Sequence, residues 1–258
     1  PEKYPCWRVV HSNGQVGNYS GPGGKREKIS KIREEGITVN REKLQNFSKV
    51  RFDNFDIEPP LPRLRDIQNN LYNMVKIKSI ESPNYIAGVD VSYGTAGAVS
   101  AYVEMDSTGK EVIYKRSIRE NRVKFPYIPG YLAFRELPLL NNLIAEVKKE
   151  RRLADVIFVD GNGLLHPRKA GLATHLGVVI DRPTIGIAKK LLCGKVKEHE
   201  PEEGKKRIIT LNGEKYGLEI KTYYRANPIY VSIGNRISLN QAERLTEKVS
   251  SYKLPEPL

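Results

Sequence analysis

The chain has 258 residues, with 43 Lys and Arg against 30 Asp and Glu, for a formal charge of +13. That length allows one sizeable core plus a smaller module, and the charge favours a polyanionic partner, since each phosphate neutralised releases counterions. No apolar run approaches the roughly 20 residues of a membrane span and no signal-peptide pattern opens the chain. The two cysteines, Cys6 and Cys193, form neither a disulfide framework nor a metal-ligand spacing, so the expectation is a reduced, cytoplasmic chain with no membrane contact and no obligate protein partner.

Residues 1–51 hold eleven Lys and Arg against five Glu, a balance of +6. Gly14, Gly17, Gly21, Gly23 and Gly24 crowd one stretch, and residues 25–35 then have helix-like composition. Lys25, Arg26, Lys28 and Lys31 within that helix are expected to add phosphate affinity. Residues 47–62, with Asp53, Pro59, Pro60 and Pro62, read as a connector. The domain expectation is therefore a segment 1–50 followed by a domain 51–258. Leu64, Ile67, Leu71, Met74 and Val75 predict an amphipathic helix that opens the domain.

Tyr85-Ile-Ala-Gly-Val-Asp90-Val-Ser-Tyr93 reads as an apolar strand with a carboxylate in its middle. A buried ionised Asp is costly unless it is paired or bound to metal. Alternating runs over 99–105 and 112–118, split by Ser107-Thr-Gly-Lys110, complete an antiparallel meander. A proline-bracketed loop follows at 125–130. Leu137, Leu140, Ile144 and Val147 then fall at helical spacing, with Glu136 expected in the first turn.

Ile157, Phe158 and Val159 predict a buried strand that ends in Asp160, at the edge where open α/β sheets bind ligands. Gly161 and Gly163 allow close backbone approach, and His166, Arg168 and Lys169 follow. Such a segment fits metal-assisted chemistry on a phosphate, or an ordinary strand-loop-helix turn. The order strand with Asp90, two strands, helix with Glu136, strand ending at Asp160 matches the ribonuclease-H-like fold: a mixed α/β sheet flanked by helices. Its members gather such acids around divalent metal.

Five strings stand in one family order: Gly88-Val-Asp-Val-Ser-Tyr93, Pro126-Tyr-Ile-Pro-Gly130, Phe134-Arg-Glu136, Asp160-Gly-Asn-Gly-Leu-Leu-His-Pro-Arg168 and Pro183-Thr-Ile-Gly-Ile-Ala-Lys189-Lys190. Together they resemble endonuclease V, the deoxyinosine-directed repair nuclease, from about residue 52 to the end. The resemblance implies magnesium, with manganese as a substitute. It also implies hydrolysis of the second phosphodiester 3′ to hypoxanthine, leaving 3′-hydroxyl and 5′-phosphate ends. The implied partner is deoxyinosine-containing DNA, with inosine-containing RNA as the alternative.

On that resemblance Asp90 and Asp160 are metal ligands, and Glu136 is a third acid acting directly or through water. The bland reading of Glu136 is a carboxylate at a helix N-terminus. His166 binds metal, positions water, touches phosphate, or is a hydrogen-bonded loop residue. Lys189 stabilises developing charge or orients water; otherwise it is a surface lysine. Asp155 matches a family acid but suits a structural role at the start of a strand. Pro126, Tyr127, Ile128 and Pro129 correspond to the family's wedge, with Tyr127 holding the strands apart once the base leaves the stack. Gly130, Leu132, Gly161 and Gly163 are candidates for the wall of the base pocket. His11 belongs to a turn, His175 to a short helical run with its ring toward solvent, and His199 to a charged exposed loop over 195–206. Residues 229–238 predict a strand followed by a helix capped by Ser238, with Gln241 three residues on. Asn235 stands where many relatives carry histidine, and it cannot bind metal as imidazole does.

Pro5-Cys-Trp-Arg-Val-Val10, Gly14-Gln-Val-Gly-Asn-Tyr-Ser-Gly21 and Arg33-Glu-Glu-Gly36 resemble the active-site end of alkylguanine-DNA alkyltransferases. Cys6 matches the alkyl acceptor and Glu35 the glutamate that orients the family's histidine. Trp7 stands at the position of that histidine, and an indole cannot deprotonate a thiol. The expectation is a degenerate remnant with Cys6 as a small, semi-buried residue. The rival readings of the whole chain are a damage-binding protein that does not cut, and alkyl transfer through Cys6.

Overall fold

Few apolar residues punctuate the glycine- and lysine-rich start of the chain, and they support only a small cluster: Val16, Ile32, Val39 and Leu44. The computed structural model describes residues 4–196, 206–223 and 225–258. It divides into two compact units, Pro1–Pro59 and Pro60–Leu258. In the first, α1 (Gly24–Glu34) packs near a hairpin of β1 (Val39–Asn40) and β2 (Lys43–Leu44), and α2 (Phe47–Val50) follows. The hairpin turns through Arg41 and Glu42, whose φ angles of 46° and 61° are the left-handed pair that a two-residue hairpin loop demands. Lys28 is buried, and its ammonium donates to Val9 O at 2.6 Å and Asn18 O at 3.1 Å. Lys25 pairs with Glu42 and Lys31 with Glu27. The expected phosphate-binding cluster is thus largely spent inside the unit, leaving Arg26 exposed.

The second unit opens with α3 (Pro60–Tyr72), so two prolines expected in the connector lie in the helix's first turn, where a missing N–H costs nothing. Met74 and Val75 fall beyond the helix, and Ile67 is exposed. The buried positions are Leu71 and, unexpectedly, Gln68. A polar side chain can take that place only because its amide is hydrogen-bonded.

β3 (Tyr85–Gly94), β4 (Gly97–Asp106) and β5 (Val112–Glu120) form the expected meander. They lead through α4 (Leu132–Glu150) to β6 (Val156–Asp160), α5 (Leu172–Ile180) and β7 (Thr184–Ala188). β8 (Lys195–Val196), β9 (Lys206–Leu211), β10 (Glu214–Ile220), β11 (Ile229–Asn235) and α6 (Leu239–Lys248) complete the unit. Among the described residues these make one nine-stranded sheet in the order β5-β4-β3-β6-β7-β11-β10-β9-β8. Of the pairings described, only β3–β6 and β6–β7 are parallel, which makes β6 the middle of the sheet's parallel part.

Strand alternation splits the core between the two faces. Val156 and Phe158 join Ile185, Ile187 and the α6 residues Ala242 and Leu245 on one side. Ile157 and Val159 join Leu140, Leu143 and Ile144 of α4 and Leu176 of α5 on the other. Each fully buried side chain of this kind contributes about 1.5–3 kcal/mol. Gly88 must lack a side chain: a Cβ there would lie 2.3 Å from Pro257 O. Asp155 accepts from the backbone N–H groups of Asn84 and Tyr85, which ties the starts of β3 and β6 together. Ser238 caps α6 by accepting from Gln241 N at 3.4 Å, while the Gln241 amide pins residue Ile80 through both its N–H and its carbonyl. No helix among the described residues is long and apolar enough to cross a membrane.

Candidate active site

β3 and β6 run in register as far as Val89 and Val159, so the next residues, Asp90 and Asp160, come side by side where these two strands part, each still paired with its other neighbour, Ala101 of β4 and Ile187 of β7. Their places in the chain are as the sequence predicts, but Asp90 is exposed as a residue rather than buried in a strand interior. It lies one residue past the last position paired with β6, while β4 on its other side still pairs it with Ala101. Its carboxyl is still partly enclosed: burial and then the Asp160 charge raise its pKa, opposed by the Val91 N–H and by Lys189.

Lys189 follows β7 directly and its ammonium lies 2.6 Å from Asp160 Oδ2. That bond raises the lysine pKa against the opposing effect of partial burial. Glu136 is buried, and α4 begins at Leu132, so this acid lies beyond the first turn rather than in it. The helix terminus therefore does not explain its presence. Burial, with added repulsion from Asp90 and Asp160, lifts its pKa to about 7. The Tyr93 hydroxyl donates to Glu136 Oε1 at 3.3 Å and counters that rise. Three carboxyls thus sense one another at one sheet edge, with a lysine in contact.

Their donor set is hard oxygen only, which suits magnesium or manganese rather than a soft metal. Among the described residues, no three His, Cys, Asp or Glu side chains are drawn close enough to enclose an ion as they stand.

His166 is buried beside the loop over 125–130. Its Nδ1 accepts from Arg168 N at 3.2 Å, so Nε2 carries the proton and faces Gly130 O at 3.2 Å. Burial and the Arg168 charge hold its pKa down to about 4, which keeps the ring neutral. Within the loop Pro126, Tyr127 and Pro129 are exposed and Ile128 half-buried, Tyr127 with 68% of its surface free. Gly130 has φ 79° and closes the loop against the segment carrying His166 and Arg168. Leu132, half-buried, opens α4.

The two glycines after Asp160 differ. Gly161 borders Leu172. Gly163 is buried against β11, its N–H bonded to Ser232 Oγ at 2.8 Å.

Several residues escape sequence reasoning. Arg135 sits inside a quoted motif, and its guanidinium stacks 4.4 Å from the Tyr93 ring and donates to Phe125 O. Tyr93 likewise ends a quoted motif. Gln68 gives no signal at all. His175, expected toward solvent, is buried, because α5 is apolar around most of its circumference and packs between the sheet and α4. Burial lowers its pKa to about 4. Asn235 accepts from Lys76 N and donates to Gly177 O, so both ends of its amide are committed to structure. His199 lies outside the described residues. In the first unit Cys6 is exposed in a three-residue turn of 3-10 helix, not semi-buried. Glu35 still has a partner there: the Trp7 indole N–H donates to it at 2.7 Å, alongside Arg8.

The family model for Endonuclease V matches residues 69–258. A bifunctional methyltransferase/endonuclease of Picrophilus torridus is 35% identical over 258 residues, covering 100% of this chain and 78% of that protein. The catalytic domain of human endonuclease V has a similar structure, with a TM-score of 0.71 at 30% identity over 78% of this chain and 92% of that one. Ciona intestinalis endonuclease V, in complex with a 24mer DNA containing an inosine followed by a ribo-adenosine, gives 0.68 at 25% identity, covering 78% and 94%. With the mixed sheet, the acids on β3 and β6 and a family match over most of its length, this chain belongs to the endonuclease V family.

Proposed function

We propose that the chain is a deoxyinosine-directed DNA repair endonuclease, hydrolysing the second phosphodiester 3′ to the lesion and leaving 3′-hydroxyl and 5′-phosphate ends. The observation that carries this reading is the meeting of Asp90, Asp160 and a high-pKa Glu136 at one sheet edge with Lys189 in contact. Asp90, Asp160 and Glu136 would hold the ion. Bound there, magnesium or manganese supplies Lewis-acid polarisation of the phosphate and a readily ionised water.

The chain's own groups do the rest. Lys189 sets a fixed positive charge where the phosphorane gains negative charge. Tyr93 holds one oxygen of Glu136, so the carboxyl keeps its orientation. Tyr127, exposed on a loop with two prolines, suits a wedge that fills the stack vacated by hypoxanthine. The Ciona relative binds inosine beside a ribonucleotide, which makes inosine-containing RNA the second substrate to assay.

For the first unit, an alkyltransferase-like remnant without alkyl transfer is the matching reading. The Picrophilus protein's name includes a methyltransferase, but here Trp7 donates to Glu35 and offers no base for the Cys6 thiol. The test is a nicking assay on an inosine-containing duplex with magnesium and with chelator, using wild type, Asp90→Ala and Asp160→Ala. Metal-dependent nicking beside inosine by wild type alone is expected. Near wild-type cutting by either variant, or none by the wild type, overturns the assignment.

A further inference from the structure

Residues 125–130 are gripped at both ends by arginines that lie outside the loop. At the start, Arg135 Nη1 donates to Phe125 O at 2.5 Å, its guanidinium stacked on Tyr93. At the end, the carbonyl of Gly130 receives Arg168 Nη2 at 2.6 Å, Gln68 Nε2 at 3.1 Å and His166 Nε2 at 3.2 Å. Arg168 is itself stacked 4.6 Å over Tyr131.

Gln68 stands at the centre of this second grip. Its Oε1 accepts from Arg168 Nε at 2.6 Å, while its Nε2 faces Gly130 O and, at 3.4 Å, Ala170 O. It is fully buried on α3, 62 residues before the carbonyl it holds. A primary amide can accept from a guanidinium through its oxygen while its nitrogen donates to a carbonyl. A buried Gln in a helix face otherwise filled by Leu64 and Leu71 is costly unless that pairing is needed.

We infer that Gln68 is a positioning residue: through Arg168 it locks the Gly130 carbonyl, and so fixes the loop that carries Tyr127 outward before any duplex is bound. Between its clamped ends the loop leaves Tyr127 largely exposed instead of letting the ring fold back onto the protein. Ordering a wedge in advance removes its entropy cost from the encounter with DNA. The role rests on the wedge function proposed above. The loop geometry it explains does not.

Gln68→Met keeps the volume and removes all three bonds. In the full-length chain without substrate, trypsin cleavage after the exposed Lys124 reports opening of the loop, with the fragment identified by mass. Loss of these hydrogen bonds should speed that cleavage about tenfold relative to wild type, and Gln68→Glu, which keeps the acceptor for Arg168, should fall between. Gln68→Met should also lower kcat/KM on an inosine-containing duplex about tenfold while leaving a single-stranded inosine oligonucleotide within about twofold, since no stack need be opened there. Unchanged cleavage after Lys124 overturns the clamp. Faster cleavage with equal losses on duplex and single strand overturns the positioning role and makes Gln68 a folding residue. A wild type that does not cut inosine at all would sink the proposed function while the proteolysis still tests the clamp.

Discussion

Two buried histidines have their pKa values held down to about 4, His166 next to an arginine and His175 by burial alone. For His175 the consequence for stability has a definite sign. Between pH 6.5 and 4 the unfolded chain binds a proton that the folded ring refuses, so stability falls as pH is lowered through that window. Below about 4 the folded ring also takes the proton and the loss levels off. The ring rests edge-on against Phe134, its Nδ1 without a partner among the described residues. His175→Gln removes this titration. On moving from pH 7 to pH 5, wild type should lose about 2 kcal/mol more unfolding free energy than the variant, read from urea midpoints at both pH values. Equal losses would mean that the ring is already protonated in the fold, or open to water.

At the scale of elements, the loop after β6 makes a sharper demand than its two glycines suggest in sequence. A Cβ on Gly163 would lie 2.1 Å from Ile233 O, a backbone atom of β11, whereas one on Gly161 would meet the Leu172 side chain at 3.1 Å. Backbone cannot retreat without moving a strand, but a leucine can. Gly163→Ala should therefore cost about 1–3 kcal/mol and Gly161→Ala under about 1 kcal/mol, by urea unfolding at neutral pH. Comparable costs would show that the loop yields as readily as a side chain.

That contrast also marks how far sequence reaches. β3, the β4–β5 meander, β6 and the strand before Lys189 were legible, because apolar runs and the Ser107–Lys110 turn are local signals. So was the meeting of Asp90 with Asp160, once both strands were read. The start of α4 was not, since Glu136 and the following leucines fit a helix beginning later. The exposure of Asp90, the burial of His175 and the part played by Gln68 depend on what packs against them from distant segments. Periodicity carries no record of such partners.

For the molecule as a whole, the question is where the +13 charge acts. Residues 1–51 balance at +6, but the compact unit ends at Pro59, and Asp53, Asp56 and Glu58 bring residues 1–59 to eleven cations against eight acids, or +3 of the +13. The remaining +10 belongs to the unit that carries the candidate site. Inside the first unit Lys28 is buried and Lys25 and Lys31 are paired with acids, so their gain from meeting phosphate is small. The phosphate affinity that the cluster on α1 is expected to add is therefore modest. Each phosphate neutralised adds about 0.9 to the slope of log affinity against log salt. Neutralising Lys25, Arg26 and Lys31 together to Gln in the full-length chain should therefore shift that slope by about one or less, with inosine-directed nicking retained. A titration of a fluorescent duplex from low to moderate salt measures it. A drop of three or more would make the first unit the principal DNA-binding surface, and place the polyanion contact on α1 rather than around Asp90 and Asp160.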